Sequence, residues 1–238
     1  ALRTYHYYAD SEVLSALVKY YDIPMANVRK TLQIDSVFLN NGCIVQSENY
    51  HYDNPAHNFV NRTVSNIDGE QVIVRKRYPL DYDTSTVAGT EALALKSLVA
   101  NHILSPVVEQ QVLKVKLDGS KHLVEGNVTR DKEYSGNAIR AQYIHKLHLP
   151  IPSLDTTMSR IDSNGNFIYH TLYNPSPEIG PNKYDLTGNL IETISRSGVI
   201  TAYIWGYDNS SPVAKIVDAG YSAIEGVLSA NFSLLGED

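Results

Sequence analysis

Asp162-Ser163-Asn164-Gly165-Asn166-Phe167-Ile168 and, 23 residues on, Asp185-Leu186-Thr187-Gly188-Asn189-Leu190-Ile191 share one pattern, D-x-x-G-N-[F/L]-I. A further 23 residues on, Tyr207-Asp208 aligns with Tyr184-Asp185. The physical content is a strand ending in Tyr-Asp, a Gly-Asn turn, and a second strand opened by an apolar residue. An Asp at the strand end accepts hydrogen bonds from turn N–H groups, and a Tyr stacks on the neighbouring hairpin. The repeat residues are therefore Asp162, Gly165, Asn166, Tyr184, Asp185, Gly188, Asn189, Tyr207 and Asp208, and equal spacing predicts equal strand–turn–strand geometry.

Working outward, X-Gly turns punctuate most of the chain. Asn41-Gly42 separates Ser36–Asn40 from Cys43–Tyr50, Asp68-Gly69 separates Arg62–Ile67 from Glu70–Tyr78, and Asp118-Gly119 separates Val112–Leu117 from Lys121–Arg130. Asn-Gly and Asp-Gly supply the positive φ that tight hairpins need. Leu113, Val115 and Leu117 alternate with Lys114 and Lys116, the period of a half-buried antiparallel strand. Three segments break the pattern. Ser11–Tyr21 predicts a helix through Val13, Leu14, Leu17 and Val18. Thr90–Leu104 predicts another, with Leu95, Leu98, Val99 and His102 on one face and Pro106 as its stop. Gly220–Leu228 is a third, shorter one. The prolines of Asn174–Pro181 mark a loop.

The segment Tyr184–Ile191, followed by Tyr203-Ile204-Trp205-Gly206-Tyr207-Asp208, resembles the Rhs/YD-repeat family. The wider stretch from about Arg75, with Arg77-Tyr78-Pro79-Leu80-Asp81-Tyr82 and Asn101–Val107, looks like the C-terminal part of large YD-repeat surface proteins of Bacteroidetes. The resemblance implies a mainly β fold, with antiparallel, hairpin-rich, YD-repeat-like sheets and two or three short helices. It also implies a secreted or surface-anchored, non-catalytic scaffold or interaction module whose partner is a carbohydrate or a protein at the cell surface. In toxin-like members the repeats wrap into a shell around a cargo. After Asp208 this chain carries only Asp218-Ala219-Gly220 and about a helix more, so neither self-cleavage nor a toxin domain is expected of it. The expected organisation is one elongated β-rich region over 1–238: N-terminal hairpins and a helix in 1–74, hairpins with a helix at 90–104 in 75–160, repeat units in 161–210, and a strand with a partial helix in 211–238.

Composition sets further bounds. An apolar content of 43% over 238 residues is enough for a sizeable core. A net charge of −6 argues against a nucleic-acid grip. There are 17 Tyr against 4 Phe and 1 Trp, which suits half-exposed sheet faces and binding surfaces. Cys43 stands alone, so no internal disulfide forms. No apolar run is long enough for a membrane-spanning helix. The opening Tyr5-His6-Tyr7-Tyr8 reads as mid-strand, which suggests a piece of a longer protein.

Candidate chemistry is sparse. His51-x-Asp53-x-x-x-His57 places two imidazoles and a carboxylate within reach of one metal ion, but Pro55 makes the span a strand running into a turn. His145-x-x-His148 points to opposite faces on a strand, and Pro150 and Pro152 oppose a helix. Cys43 reads as a small core residue. Arg75-Lys76-Arg77 reads as a solvated edge that discourages sheet-to-sheet pairing. Tyr203, Trp205 and Tyr207, at alternate positions, are the candidate ligand-stacking face. The competing reading makes that face a core between hairpins. No G-x-S-x-G elbow, phosphate loop or dinucleotide fingerprint occurs. The expectation is no catalytic residue, no metal and no cofactor, with two rivals. One is a carbohydrate-binding module using Tyr and Trp faces. The other is a β-rich hydrolase, which would need three of His51, Asp53, His57, His145 and His148 to converge.

Overall fold

The structure, a computed structural model, describes residues 2–9, 12–19, 29–39, 42–67, 69–134 and 138–228, with 2–9, 12–19, 37–39 and 42–43 described by their backbone. Residues 1–30 and 31–238 form two compact units. In the first, β1 (Leu2–Ala9) and β2 (Glu12–Lys19) pair antiparallel from Leu2↔Lys19 to Ala9↔Glu12. Glu12–Lys19, most of the helix expected over Ser11–Tyr21, is therefore a strand; Ser11, Tyr20 and Tyr21 lie outside the described residues. Short apolar runs fit either period. A lone short helix is marginal, whereas the tyrosine-rich strand beside this segment offers a full ladder of backbone partners.

The second unit is mainly β and antiparallel, and among the described residues no sheet closes into a barrel. Seven strands lie in sequence order: β3 (Leu32–Leu39), β4 (Gly42–His51), β5 (Arg62–Ile67), β6 (Glu70–Arg77), β7 (Glu109–Val115), β8 (Lys121–Tyr134) and β9 (Ala138–Lys146). The hairpins fall where the X-Gly pairs predict, with Ile67 opposite Glu70 and Val115 opposite Lys121. This sheet spans the sequence boundary at 74–75. Leu117 departs from its expected face and lies fully exposed, because the chain has already entered the Lys116–Ser120 turn.

β6 is interior, so Arg75-Lys76-Arg77 is not an edge. Arg75 lies opposite Gln111, and Arg77 opposite Glu109. Both guanidiniums reach the backbone of the segment covering that face: Arg75 donates to Thr156 O, and Arg77 donates to Ser159 O at 2.6 Å. Along β7, Glu109, Gln111 and Leu113 are all buried, as the two-residue period requires of one face. At the apolar end of this face Ile73, Leu113 and Leu123 form a core cluster with Val64, Val115 and Leu147.

After β6 the chain makes a short 3₁₀ turn (Pro79–Asp81) and then α1 (Thr90–Ala100), which packs on β8 and β9. Leu95 and Leu98 are buried with Tyr82, Ala94, Val108 and Ile139, and Phe167 packs against them. Val99 is only half-buried, and His102 is exposed and outside the helix. The helix ends before Leu104 because Ile103 N–H bonds Leu98 O at 2.9 Å and His102 N–H bonds Val99 O at 3.1 Å. This is the Schellman closure, and it needs a left-handed residue, which His102 provides with φ 56°.

Beyond β9, β10 (Arg160–Ile161) and β11 (Phe167–Ile168) form a small hairpin. A second sheet follows in the order β12 (Lys183–Tyr184), β13 (Leu190–Ile194), β14 (Ile200–Gly206) and β15 (Ser211–Val217). The loop 174–181 lies between β9 and β13: Ile144 N–H donates to Ile179 O, and Gly180 N–H donates to Ile194 O. The chain then forms α2 (Tyr221–Leu228), whose first N–H donates to the buried Glu192 carboxylate at 2.8 Å. No described helix is long and apolar enough to cross a membrane.

Because His102 is exposed and holds a conformation that favours glycine, His102→Gly is expected to raise stability by about 1 kcal/mol. Urea denaturation measures it, and a loss of stability would show that α1 does not end in this motif.

Candidate functional site

The two repeat turns carry the same hydrogen bonds. Asp162 N–H donates to Asn166 O at 2.9 Å and Gly165 N–H to Asp162 O at 3.0 Å; for Asp185, Asn189 and Gly188 the values are 3.0 and 3.1 Å. Each Asp Oδ1 then accepts two backbone N–H groups, from Asn164 and Asn166 at 2.9 Å in one unit, and from Thr187 and Asn189 at 2.9 and 2.8 Å in the other. Gly165 and Gly188 have φ 81° and 88°. A Cβ at Gly165 would strike the Val87–Ala88 backbone at 2.7 Å, and one at Gly188 would strike the Arg140 guanidinium at 2.6 Å. Each glycine carbonyl accepts from that neighbour, Ala88 N–H or Arg140 Nε. Ser195–Val199 repeats the backbone turn with Ser195 Oγ in place of the carboxylate. Tyr207-Asp208 differs: Tyr207, Asp208 and Asn209 have φ 51°, 54° and 60° and form the β14–β15 turn itself, whereas Tyr184 ends a strand.

The sequence-nominated groups go to separate partners. His57 Nδ1 accepts from Phe59 N–H, so Nε2 donates, to Asp81 Oδ1 at 3.0 Å. Asp81 also accepts from Asn54, Asn61 and Tyr78 N–H, which staples the 54–61 loop to the 3₁₀ turn. Asp53 instead faces Arg62 at 3.3 Å, and His51 lies on β4 opposite Arg62. His148 is exposed while His145 is buried. Among the described residues no three His, Cys, Asp or Glu side chains are grouped to hold a metal ion. The side chain of Cys43 lies outside the described residues. Tyr203 and Trp205 share a half-buried face of β14, opposite the buried Ala202 and Ile204, and Trp205 Nε1 donates to Leu190 O at 2.8 Å. Tyr207, in the turn, is 52% exposed.

Beneath the 153–173 segment lies a buried polar hub. Glu109 is fully buried, and its carboxylate accepts from Tyr173 OH at 2.9 Å, Ser159 N–H at 2.8 Å and Gln111 Nε2 at 3.2 Å. Burial pushes the Glu109 carboxyl up, against the hydrogen bonds from Tyr173 and Ser159 and the nearby Arg77. Burial and the Glu109 charge raise the Tyr173 phenol. Every group of this hub is spoken for, which marks it as structural.

A different arrangement lies alongside. A cavity of about 370 Å³ is lined by Arg130 of β8, His145 of β9, and Tyr169, His170, Tyr173 and Asn174. Strand register creates it: Arg130 lies opposite Tyr143, and His145 lies two residues further along β9 on the same face. The 172–174 segment closes the other side by pairing with the end of β9, through His148 N–H to Leu172 O and Asn174 N–H to Lys146 O. The Arg130 guanidinium sits 5.1 Å from the Tyr143 ring centroid and 5.6 Å from that of Tyr169, and it pairs with Glu91. His145 Nδ1 donates to Asn174 O at 2.9 Å, and burial lowers the imidazole's pKa. Its neutral ring therefore presents a bare Nε2 acceptor. His170 Nδ1 accepts from Leu172 N–H, which leaves Nε2 as a donor, 3.3 Å from Asp155 Oδ2.

Five buried side-chain polar atoms lack a hydrogen-bond partner among the described residues, and four of them, Arg130 Nε, His145 Nε2, Tyr169 OH and His170 Nε2, belong to residues lining this cavity. A larger cavity of about 560 Å³ near the Asp118-Gly119 turn is walled by Val72, Val115, Leu117 and Pro152 and has no such atoms. Of the cavity-lining residues the sequence nominated only His145, and it paired that residue with the wrong partner, His148. Arg130, Tyr169 and His170 left no local signal, because only register and the return of 169–174 bring them together. Comparison with protein-family models finds no match for this chain, and comparison with curated proteins finds none.

Beside the cavity, Asp131 shares a small space with Glu91, Leu95, Phe167 and Tyr169, and burial raises its carboxyl to about 6. A carboxyl raised on folding binds its proton more tightly in the native state, so stability falls as pH rises from the unfolded value near 4 through 6. Asp131→Asn is expected to remove this dependence and to gain on the order of 2 kcal/mol at pH 7.5. Denaturation at pH 4.5 and 7.5 checks it; an Asn variant with an unchanged pH profile would show that Asp131 stays solvated.

Proposed function

We propose that this chain is a non-catalytic, secreted or surface-exposed scaffold and interaction module of the Rhs/YD-repeat type. The observation that carries the reading is the pair of D-x-x-G-N turns. They are built by the same hydrogen bonds, and each is docked through its glycine carbonyl onto a neighbouring element. A repeated hairpin with an Asp-braced turn is what the resemblance calls for, and it uses these carboxylates for structure. Three other carboxylates follow suit: Asp81, Glu109 and Glu192 are each held by several donors or a lysine. Ser120 Oγ lies 3.0 Å from His122 Nε2, but no hydrogen bond from a third, orienting group to that imidazole is present among the described residues, and a nucleophile–base pair of the triad type needs one. On this reading the partners are carbohydrate or protein at a cell surface.

Equivalent turns make equivalent losses. Asp162→Ala and Asp185→Ala are each expected to cost about 1–3 kcal/mol, since each removes a charged acceptor from two turn N–H groups. A large effect at one and none at the other would end the repeat reading.

The absence of catalysis is tested directly. The untagged purified chain is expected to turn over no ester, peptide or phosphomonoester substrate and to hold no stoichiometric zinc. Zinc lost on His57→Ala or His145→Ala would move the hydrolase to first place.

A further inference from the structure

We propose that the cleft between β5, β6 and residues 53–54 binds a tetrahedral oxyanion, a phosphate or sulfate group. The inference rests on the reading of the chain as a non-catalytic binder and gives a ligand of that binder its chemistry. The cleft, of about 290 Å³, is lined by Arg62, Arg75, Lys76 and Arg77, with Asp53 and Asp81 as its carboxylates. Four cations thus face two carboxylates, on a chain whose net charge is −6.

Strand register builds the cluster. Arg62 of β5 lies directly opposite Arg75 of β6, and Arg77 follows two residues along β6 on the same face. Like charges directly opposite each other on an antiparallel pair destabilise it. Burial lowers the Arg75 pKa, and the charges of Arg77 and Arg62 lower it further against the opposing pull of Glu109. The neighbouring carboxylates relieve little of this. Asp53 meets Arg62 Nε and Nη2 at 3.3 Å each, and both side chains are open to water, where such a pair contributes little. Asp81 is committed to Asn54, Asn61, His57 and the Tyr78 N–H, and Glu109 to Tyr173, Ser159 and Gln111.

Donors are left over, and they are accessible. Arg75 uses Nη2 on Gln111 and Thr156 O, Arg77 uses Nη1 on Ser159 O, and Arg62 uses Nε and Nη2 on Asp53. Arg62 Nη1, Arg75 Nη1 and Arg77 Nη2 bond to nothing among the described residues, and none of the three is cut off from solvent. Guanidinium forks match oxyanions, with short charge-assisted bonds. A carboxylate offers two oxygens in one plane. A tetrahedral group points its oxygens in several directions and so meets guanidiniums from two strands at once. At about 30 Å³ for a water, the cleft also has room beyond one such group, so the oxyanion enters either as the free ion or as an ester on a larger partner.

The test uses the whole chain with inorganic phosphate, inorganic sulfate, phenyl phosphate and phenyl sulfate as probes, and acetate as the planar control, read by calorimetry and by melting temperature. At least one of the four probes is expected to bind and to raise the melting temperature, with acetate about tenfold weaker or worse. Arg62→Gln is expected to weaken binding about tenfold, the worth of one hydrogen bond to a charged group. Without anion that variant should melt no lower than the parent, because its exposed pair with Asp53 contributes little and its repulsion of Arg75 is gone. Asp53→Asn is expected to tighten binding several-fold, since it removes the carboxylate that competes for Arg62; a merely structural ion pair would give no such gain. Phenyl esters that outbind the free ions would mark a group carried on a larger partner, and equal affinities would mark the ion itself; either supports the site. Binding of none of the four probes, acetate bound as tightly as they are, or binding indifferent to Arg62→Gln and Asp53→Asn would each overturn the proposal. Hydrolysis of bound phenyl phosphate would keep the site but sink the non-catalytic reading, and failure to bind would leave that reading standing.

Discussion

The covering of the central sheet depends on one buried carboxylate. Glu109 points inward from β7, where a sheet of this kind would ordinarily place an apolar residue, and burying a bare carboxylate costs several kcal/mol unless donors replace its water. Those donors come from the chain that returns over the sheet: the Ser159 backbone and the Tyr173 hydroxyl, with Gln111 from the same strand. The adjacent guanidiniums of Arg75 and Arg77 bond backbone carbonyls of the same returning chain. The 153–173 segment is thus tied down by polar groups along a strip where an apolar face would have let it slide. Specific donors and acceptors fix its register on the sheet, and that register places Tyr169, His170 and Tyr173.

The cavity is a consequence of this anchoring. With Tyr173 held by Glu109, the residues before it lie beside Arg130 and His145. Among the described residues five buried side-chain polar atoms lack a hydrogen-bond partner; four belong to residues lining the cavity, and the fifth is Arg75 Nε, beside Gln111. Burying an unpaired group costs about 1–3 kcal/mol, so four in one place represent stability that packing elsewhere must offset. The nearby Glu109 carboxylate shows the contrast: it is fully buried, yet Tyr173, Ser159 and Gln111 all donate to it.

The repeat turns illustrate how little is needed to brace a hairpin. One carboxylate oxygen accepts two N–H groups of its own turn, a glycine supplies the left-handed step, and the bare Cα lets a neighbouring backbone or guanidinium approach closely. Where the serine of 195–199 replaces the Asp, the backbone turn survives, so the bonds between main-chain atoms define it and the side chain tunes it. At Tyr207–Asp208 the same two residue types sit within a turn with no glycine, and the geometry changes.

The sequence by itself determined the strand-and-turn texture, because period-two alternation and X-Gly pairs are local physics: hairpins at 69, 119, 165 and 188 follow from φ preferences and side-chain alternation alone. It also determined the existence of α1, whose apolar face needs nothing distant to be recognised. It misjudged Ser11–Tyr21, since a short apolar run carries no unique period and the partner strand decides. It read Arg75-Lys76-Arg77 as an edge, because whether a strand is central depends on β7, more than thirty residues later. An inward-facing Glu109 at two-residue spacing from Leu113 was a visible signal, though one whose meaning requires Ser159 and Tyr173. The candidate site belongs wholly to tertiary structure. Its residues lie on two strands and a returning loop, each ordinary in its own neighbourhood, and only strand register and the polar anchoring of the loop bring Arg130, His145, Tyr169 and His170 to the lining of one cavity.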